Sequence, residues 1–196
     1  MDVTPVTLEG RHVRLEPLCS TTAPTSPRSR STPTLWQTTL TRIESLEDLD
    51  AYLETARSWQ RAGTAIPFAT IDRATGRAIG CTRFANIDPP NRHLEIGWTW
   101  LGREFHRQAF NTEAKLLMLD HAFDRMGCIR VEFRVNVLNL RSRRAVTRAR
   151  RQEEGTLRQH TIAADGRLID WVYYSILRGE WRAVRANLEQ RLAAHV

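Results

Sequence analysis

Apolar and polar residues alternate along several short stretches of the chain, and each of these stretches predicts a strand. The first strand is predicted over residues 6–18, with the clearest alternation in residues 12–18. Further strands are predicted at residues 66–72, 77–86, 93–101 and 129–137. A final pair, residues 155–160 and 168–177, surrounds an Asp-Gly turn and therefore predicts a hairpin.

Other stretches carry apolar residues three or four positions apart and predict helices. One helix is predicted over residues 46–60 with Ser45 as its N-cap. A second, rich in Ala and Leu, covers residues 111–126 with Asn111 or Thr112 as its cap. Two more are predicted at residues 140–152, which are very basic, and at residues 180–194, which form an amphipathic C-terminal helix.

Residues 19–33 break this pattern, because they are Ser, Thr, Pro and Arg with almost no apolar side chain. Such a composition cannot bury a core, so we expect a loop or a disordered segment there. Elsewhere the order of elements predicts an α+β fold with a mixed sheet, since only two of the helices link strands as crossovers. The length of 196 residues fits one domain, residues 1–196.

Composition narrows the class of protein. No apolar run approaches the roughly 20 residues that cross a bilayer, and the N-terminus lacks the apolar core of a signal peptide, so we expect a cytoplasmic protein without membrane contact. The three cysteines, Cys19, Cys81 and Cys128, are far apart and suggest neither a disulfide framework nor a metal site. The net charge of +7 indicates an anionic partner, either nucleic acid or a phosphorylated cofactor.

Two places combine a strand end with polar residues. The strand at residues 93–101 leads through a short loop into the helix that begins near Asn111, and a helix N-terminus attracts phosphate. Many α/β crossovers share this arrangement, so by itself it is a weak signal. Asn139 and Ser142 follow the next strand, where they either cap the basic helix or face a cofactor.

Together these residues resemble a known family. Glu95-Ile-Gly97, the loop into Asn111-Thr-Glu-Ala114, and Asn139-x-x-Ser142 are similar in order and spacing to the GNAT superfamily, and more narrowly to its RimJ/RimL-like branch, which is named for the acetylation of ribosomal-protein N-termini. Residues 11–17, 155–158 and 165–167 extend the likeness, which covers most of the chain outside residues 19–41.

The resemblance implies a mixed, mostly antiparallel sheet, flanked by helices, with a V-shaped split between the strands at residues 93–101 and 129–137. Acetyl-CoA would bind as a co-substrate, with pantetheine in the split along the backbone of residues 98–101 and the pyrophosphate on residues 106–111. The implied cofactor-binding residues are Trp98, Trp100, Leu101, His106, Arg107, Gln108, Ala109, Phe110, Asn111, Thr112, Asn139, Ser142 and Arg144.

The chain departs from the family pattern at three points. The pyrophosphate loop of the family usually reads Gln/Arg-x-x-Gly-x-Gly/Ala, where this chain has His106, Ala109 and Asn111. The glycine and apolar residue that usually follow Asn-x-x-Ser are replaced by arginines at positions 150 and 151. Residues 19–33 stand where the family usually has an amphipathic helix beside the acceptor site.

The implied reaction is direct attack of a primary amine on acetyl-CoA in a ternary complex, with a protein N-terminus or a small molecule as the acceptor and no metal. Such attack needs a general base, and Glu95 stands where related enzymes often place one. Alternatively, Glu95 is an ordinary strand carboxylate paired with an arginine such as Arg130. The tyrosine that often serves as the general acid is replaced by Val146.

Two other functions stay open from the sequence. The altered loops also fit an acetyl-CoA-binding relic, that is, a GNAT-like protein that still binds acetyl-CoA but transfers the acetyl group with little turnover. The arginine-rich helix and residues 19–33 together also fit an RNA-binding module. This is the weaker alternative, because no aromatic residue is interleaved with the arginines.

His121 is expected to pack in the core, as is one of Tyr173 and Tyr174. The acceptor and the oligomeric state, a homodimer included, are not fixed by the sequence.

Overall fold

The computed structural model describes residues 1–19, 43, 45–148, 152–163 and 165–194. The strands are β1 Leu8–Glu9, β2 Val13–Pro17, β3 Ile66–Asp72, β4 Ala78–Asp88, β5 His93–Leu101, β6 Arg130–Asn136, β7 Gln152–Ile162 and β8 Leu168–Leu177. The helices are α1 Leu46–Arg61, α2 Ala109–Asp120, α3 Leu140–Arg148 and α4 Trp181–Ala193, with short helical turns at Arg103–Phe105, His121–Arg125 and Arg178–Glu180.

The strands form one eight-stranded sheet in the order β1-β2-β3-β4-β5-β6-β8-β7. Neighbouring strands are antiparallel except β5 and β6, which are parallel because α2 crosses between them. The mixed, mostly antiparallel α+β fold expected from the sequence is therefore confirmed.

Helices cover both faces of this sheet, but not all of it. One core cluster joins α2 and α4 to the sheet through residues such as Met118, Leu188 and Phe84. On the opposite face, Leu49 and Leu53 of α1 pack with Cys81 in a smaller cluster. On this face, α1 packs against β3, β4 and β5. Within the described residues, the cluster beneath α1 does not extend to β6, β8 and β7, which follow in the sheet.

Several boundaries agree with the sequence. β3 and β5 have the predicted ends, and α1 begins after Ser45. Ser45 and Asp48 form a capping box, in which the Ser45 Oγ accepts from the Asp48 N–H at 3.0 Å and the Asp48 carboxylate accepts from the Ser45 N–H at 2.9 Å. Of the proposed loop at residues 19–33, all but Cys19 lies outside the described residues, as do residues 150 and 151.

Three predicted boundaries are wrong. The predicted strand at residues 6–18 is two short strands, β1 and β2, joined by a turn in which the Gly10 N–H donates to the Val13 carbonyl. The second helix begins at Ala109 with Gln108 as its N-cap, so neither Asn111 nor Thr112 caps it. α3 ends at Arg148 rather than at residue 152, because Gln152 already pairs with β8 in strand β7.

Glu113 of α2 fixes the position of β2. Its carboxylate accepts three backbone N–H groups, from Arg11 at 2.8 Å, His12 at 2.6 Å and Val13 at 2.7 Å. The approach is so close that a Cβ at Gly10 would lie 2.5 Å from the Glu113 side chain. The buried carboxylate thus satisfies backbone donors that a turn would otherwise leave unpaired.

No helix in the described ranges is both long and apolar enough to cross a membrane.

Replacing Glu113 with glutamine should lower the free energy of unfolding by about 1–3 kcal/mol, because the neutral amide offers one acceptor oxygen to three buried donors. Chemical denaturation measures this change. Glu189→Gln is the control: the Glu189 carboxylate accepts from Arg185 on the exposed face of α4, and its loss should cost less than about 0.5 kcal/mol. Equal effects of the two substitutions would contradict the role given to Glu113.

Candidate active site

The strands β5 and β6 pair over a short distance and then separate. Their parallel register joins His93–Glu95 to Arg130–Glu132, and within the described strands no later residue of β5 pairs with β6. Each strand nevertheless continues, β5 to Leu101 and β6 to Asn136. The sheet therefore opens between them beyond Glu95, and the backbone of the second half of β5 faces this opening.

A β-bulge at Trp98 accompanies the separation. Gly97 pairs with Arg83, and Trp100 pairs with Cys81, so that three steps along β5 oppose two along β4. Trp98 takes a left-handed backbone conformation, with φ of 49°, which is uncommon for a residue with a side chain. Bulges bend a strand and increase its twist, which directs β5 away from β6.

Glu95 lies at the last paired position, where the opening begins. Its side chain is only 3% exposed, and its Oε2 accepts from Asn86 Nδ2 and from Arg134 Nε, each at 2.7 Å. Its Oε1 lies over Gly97, where an added Cβ would come within 2.9 Å of it. Because Gly97 of the Glu95-Ile-Gly97 motif has no side chain, the Glu95 carboxylate can occupy the space above it.

Burial raises the pKa of Glu95 above its ordinary value of 4.5. The charge of Arg134 and the hydrogen bonds from Asn86 and Arg134 oppose this rise, while Glu132, its register partner on β6, adds to it. A carboxylate with a raised pKa accepts a proton more readily than an exposed glutamate does, and this is the property that a general base requires.

Arg134 holds Glu95 from the facing strand. Its guanidinium carbon lies 5.9 Å from the ring centres of both Trp98 and Trp171, within cation–π distance. The sequence left open that Glu95 pairs with an arginine such as Arg130. Such a pair is present, but the arginine is Arg134, while Arg130 binds Glu132 and Glu154. Arg134 extends across the opening because it is two residues further along β6, beyond the paired segment.

The loop after β5 ends at the N-terminus of α2. Arg107 and Gln108 are exposed, and Arg107 takes a left-handed backbone conformation with φ of 62°. Gln108 is the N-cap but makes no side-chain capping bond, and the first turn of α2 holds no acidic residue. Backbone N–H groups with a positive dipole end and no competing carboxylate form a favourable site for a phosphate group.

His106 connects this loop to α3. One ring nitrogen, Nε2, lies 3.0 Å from the Leu101 carbonyl oxygen, and the other, Nδ1, lies 3.1 Å from Nη1 of Arg141. The arginine can only donate, so Nδ1 accepts and Nε2 donates to the carbonyl. Burial, together with the charge of Arg141, lowers the pKa of His106 below its ordinary value of 6.5.

The remaining predicted cofactor residues lie in, or cap, the two helices α2 and α3. Ala109, Phe110, Asn111 and Thr112 form the first turn of α2, with Ala109 and Thr112 buried. Asn139 caps α3, since its Oδ1 accepts from the Ser142 N–H at 3.0 Å. Arg144 lines a cavity of about 430 Å³ between α3 and the β7–β8 hairpin.

The two tryptophans among the implied cofactor-binding residues, Trp98 and Trp100, lie in different places. Trp98 lies partly exposed beside the opening, whereas Trp100 is buried in the cluster beneath α1. Trp100 can therefore contribute its backbone to the opening but not its ring. Tyr174 is the buried member of the tyrosine pair, as expected. His121, which was expected in the core, is only half-buried, and its ring stacks on Phe84.

Four functional contacts were not found by sequence reasoning. Arg134 shares a face with Glu132 by strand alternation, so the pattern could have identified it as facing Glu95. Asn86 could not have been found, because it reaches Glu95 through an irregularity of β4 that gives it a φ of 47°. Arg141 binds His106, and Arg83 lies among aromatic rings; both contacts depend on tertiary packing.

Within the part of the chain that the structure describes, no group of three or more His, Cys, Asp or Glu residues could hold a metal ion.

Comparison with known proteins points to one family. Residues 12–150 match the sequence model of the acetyltransferase (GNAT) domain family. An uncharacterized N-acetyltransferase, p20, of Bacillus licheniformis is 34% identical over 61% of this chain, and a putative ribosomal N-acetyltransferase, YdaF, of Bacillus subtilis is 34% identical over 54% of it. The matched segments span 66% and 57% of these two relatives.

Solved structures agree over nearly the whole chain. A putative acetyltransferase from T. thermophilus is 34% identical, with a TM-score of 0.88 over 98% of this chain and all of that one. A GCN5-related N-acetyltransferase from Brucella melitensis is 29% identical, with a TM-score of 0.87 over 96% of this chain and 86% of that one. Mycobacterium smegmatis RimJ in complex with CoA-disulfide shares the fold at 21% identity, with a TM-score of 0.80 over 96% of each chain.

Replacing Arg141 with glutamine should raise the pKa of His106, because a neighbouring positive charge disfavours the protonated ring. The pKa should stay below its ordinary value, since burial is the larger cause and persists. NMR titration of the ring measures this. Arg103→Gln, which removes a weaker influence of the same sign, should raise the pKa less. An unchanged pKa in the Arg141 variant would contradict the contact.

Proposed function

This chain belongs to the GNAT acetyltransferase family, and we propose that it moves an acetyl group from acetyl-CoA to a primary amine. The observation that carries the proposal is the buried Glu95 carboxylate, held by Arg134 and Asn86 at the point where β5 and β6 separate. A proton acceptor, an opening in the sheet and an uncapped helix N-terminus occur together there.

We infer that acetyl-CoA binds in the opening between β5 and β6. The pantetheine amides would pair with the backbone of residues 98–101, which has no partner on β6 in the described strands. The pyrophosphate would rest on the N-terminus of α2, where Arg107 and the free backbone N–H groups of residues 108–111 would bind it. His106 supports this loop by holding the Leu101 carbonyl.

In the proposed reaction, Glu95 would first take one proton of the acceptor's ammonium group, directly or through one water, because a protonated amine has no lone pair with which to attack. The amine nitrogen would then attack the thioester carbon, so that a C–N bond forms and the C–S bond breaks. The second proton lost by the nitrogen would pass to the departing thiolate, through water, so that CoA leaves as a thiol. Asn86 and Arg134 would fix the carboxylate in place for the first proton transfer.

The acceptor in this proposal is a protein N-terminus or a small amine. Support for a protein acceptor comes from the curated relative whose name describes a ribosomal N-acetyltransferase. A cytoplasmic location is part of the same proposal.

The RNA-binding alternative receives little support from the basic helix α3. Arg141 is bound to His106, and Arg143 contacts the Tyr174 hydroxyl and Glu153. These contacts connect α3 to other parts of the fold. An acetyl-CoA-binding relic would bind the cofactor at the same site and would differ from the proposed enzyme only in its low rate of acetyl transfer.

Replacing Arg107 with glutamate should weaken CoA binding by about 10–100-fold, because the change places a negative charge beside the pyrophosphate site. Isothermal titration calorimetry with CoA measures the affinity. Arg182→Glu, the same charge change on the exposed surface of α4, is the control and should leave the affinity within about twofold. Parent-like affinity in the Arg107 variant would exclude this loop as the pyrophosphate site.

Replacing Glu95 with glutamine should lower the rate of acetyl transfer by roughly 10²–10⁴-fold while leaving CoA affinity unchanged, because the amide cannot accept the proton. In the parent protein the rate should rise with pH as Glu95 loses its proton, at a pH above the ordinary value of 4.5. The variant should lack that dependence and recover partly at high pH, where the amine deprotonates unaided.

Glu132→Gln is the matched control, since Glu132 is the register partner of Glu95 but pairs with Arg130. It should keep most of the rate. A Glu95 variant with the parent rate across the pH range would remove Glu95 from the mechanism. A parent protein without measurable transfer to any amine would favour the relic.

A further inference from the structure

A second arginine, Arg83, is buried beside the proposed active site. It lies in the middle of β4 and is 1% exposed. Its guanidinium carbon is 4.9 Å from the ring centre of Tyr52 and 5.1 Å from those of both Trp59 and Trp98. Two of these rings belong to α1 and the third to the bulge of β5, so three elements meet around one cation.

The aromatic rings do not satisfy this guanidinium. Its Nε, Nη1 and Nη2 atoms have no acceptor with hydrogen-bond geometry among the described residues. The Tyr52 hydroxyl interacts with the guanidinium but is neutral, since burial raises its pKa to about 12, so it cannot balance the charge. Cation–π contacts use the face of a ring, whereas the five N–H donors of arginine lie in the guanidinium plane and call for acceptors there. Buried charges in proteins are normally paired, because desolvation without a partner is costly.

The neighbouring carboxylate does not bind Arg83. The Oε2 of Glu95, on the adjacent strand, accepts from Arg134 and Asn86, and no ion pair joins Glu95 to Arg83. Because no carboxylate of the described residues pairs with Arg83, we consider an anion from outside the chain as its partner.

The register places Arg83 within reach of the acceptor. Arg83 pairs with Gly97 and Ala85 pairs with Glu95, so Arg83 and Glu95 are diagonal neighbours on the same face of the sheet. Such neighbours are about 7–8 Å apart. An extended peptide advances about 3.3 Å per residue, so one residue step together with the length of an acidic side chain spans the distance from an amine at Glu95 to an anion at Arg83.

Partly exposed rings contact Arg83. Trp59 and Trp98 meet edge to face, with ring centres 5.1 Å apart, and each ring centre lies 5.1 Å from the Arg83 guanidinium carbon. We expect rotation of either side chain to expose the guanidinium. Trp98, at the bulge of β5, is also within cation–π distance of Arg134, with 5.9 Å between its ring centre and that guanidinium carbon.

We propose that Arg83 is the anchor for a carboxylate of the acceptor, and that the preferred acceptor is a peptide N-terminus with an acidic side chain at its second position. The carboxylate would displace one of the two tryptophan rings and accept two N–H groups of the guanidinium. The inference rests on the proposed function for the position of the amine, and it adds the chemical class of the acceptor.

Two tetrapeptides with amidated C-termini test this inference. One carries alanine, aspartate and two glycines, and the other carries asparagine in place of aspartate, so they differ by one carboxylate. With CoA present, calorimetry on the unaltered protein should show about 10–100-fold tighter binding of the aspartate peptide. Equal affinity for the two peptides, or no binding of either, would overturn the inference.

Variants then identify the residue responsible. Arg83→Met keeps the length of the side chain without its charge and should abolish the preference while CoA affinity is retained. Arg83→Lys should reduce the preference without abolishing it, because lysine keeps the charge but cannot form the bidentate pair with a carboxylate. This variant provides the test if Arg83→Met does not fold. Arg14→Met, on β2 and paired with Glu16, is the control and should keep the full preference. An undiminished preference in either Arg83 variant contradicts the inference.

Acetyl transfer to both peptides, measured in parallel, separates this inference from the proposed function. A preference in binding without any transfer would contradict the proposed function alone. Transfer to both peptides with equal affinity would contradict the acidic acceptor alone.

Discussion

The separation of β5 from β6 is the constraint on which the other features depend. The two strands share three paired positions and then diverge, with a bulge at Trp98 and its left-handed backbone at the start of the divergence. An open sheet normally continues its hydrogen-bond ladder, because unpaired backbone groups inside a protein are costly. The free backbone of the second half of β5 is thus a site that a ligand with amide groups can complete, and the loop after β5 leads directly to the N-terminus of α2.

Charged side chains on one face of the sheet are organised around this separation. Glu95 is bound by Arg134 from across the opening, while Arg130 of the paired segment binds Glu132 and Glu154. Arg134 and Arg83 both lie within cation–π distance of Trp98, but of these two only Arg134 has a carboxylate partner within the described residues. The contrast matters because buried ion pairs contribute little net stability, whereas a buried cation without an anion is destabilising. An unpaired charge retained at such a position points to a ligand rather than to folding.

The sequence predicted much of the fold and less of the site. The stretches predicted as strands at residues 66–72 and 93–101 coincide with β3 and β5, and Ser45 was correctly predicted as the N-cap of α1. The start of α2 was missed because Asn111 is a good capping residue, yet the chain turns into the helix at Gln108 and the Asn111 side chain lies within the first turn. The motif residues Glu95 and His106 were identified, but not their partners: bulges and tertiary packing, which leave no periodic signal, decide that Asn86 reaches Glu95 and that Arg141 reaches His106.

A crystal structure of the protein with CoA would test the central claim most directly. The account predicts that pantetheine lies between β5 and β6, that its amides hydrogen-bond to the backbone of residues 98–101, and that its sulfur lies on the side of the opening where Glu95 is buried. The pyrophosphate should contact the N-terminus of α2. CoA bound elsewhere, for example in the cavity beside Arg144, with β5 and β6 still separated and empty between them, would contradict the account.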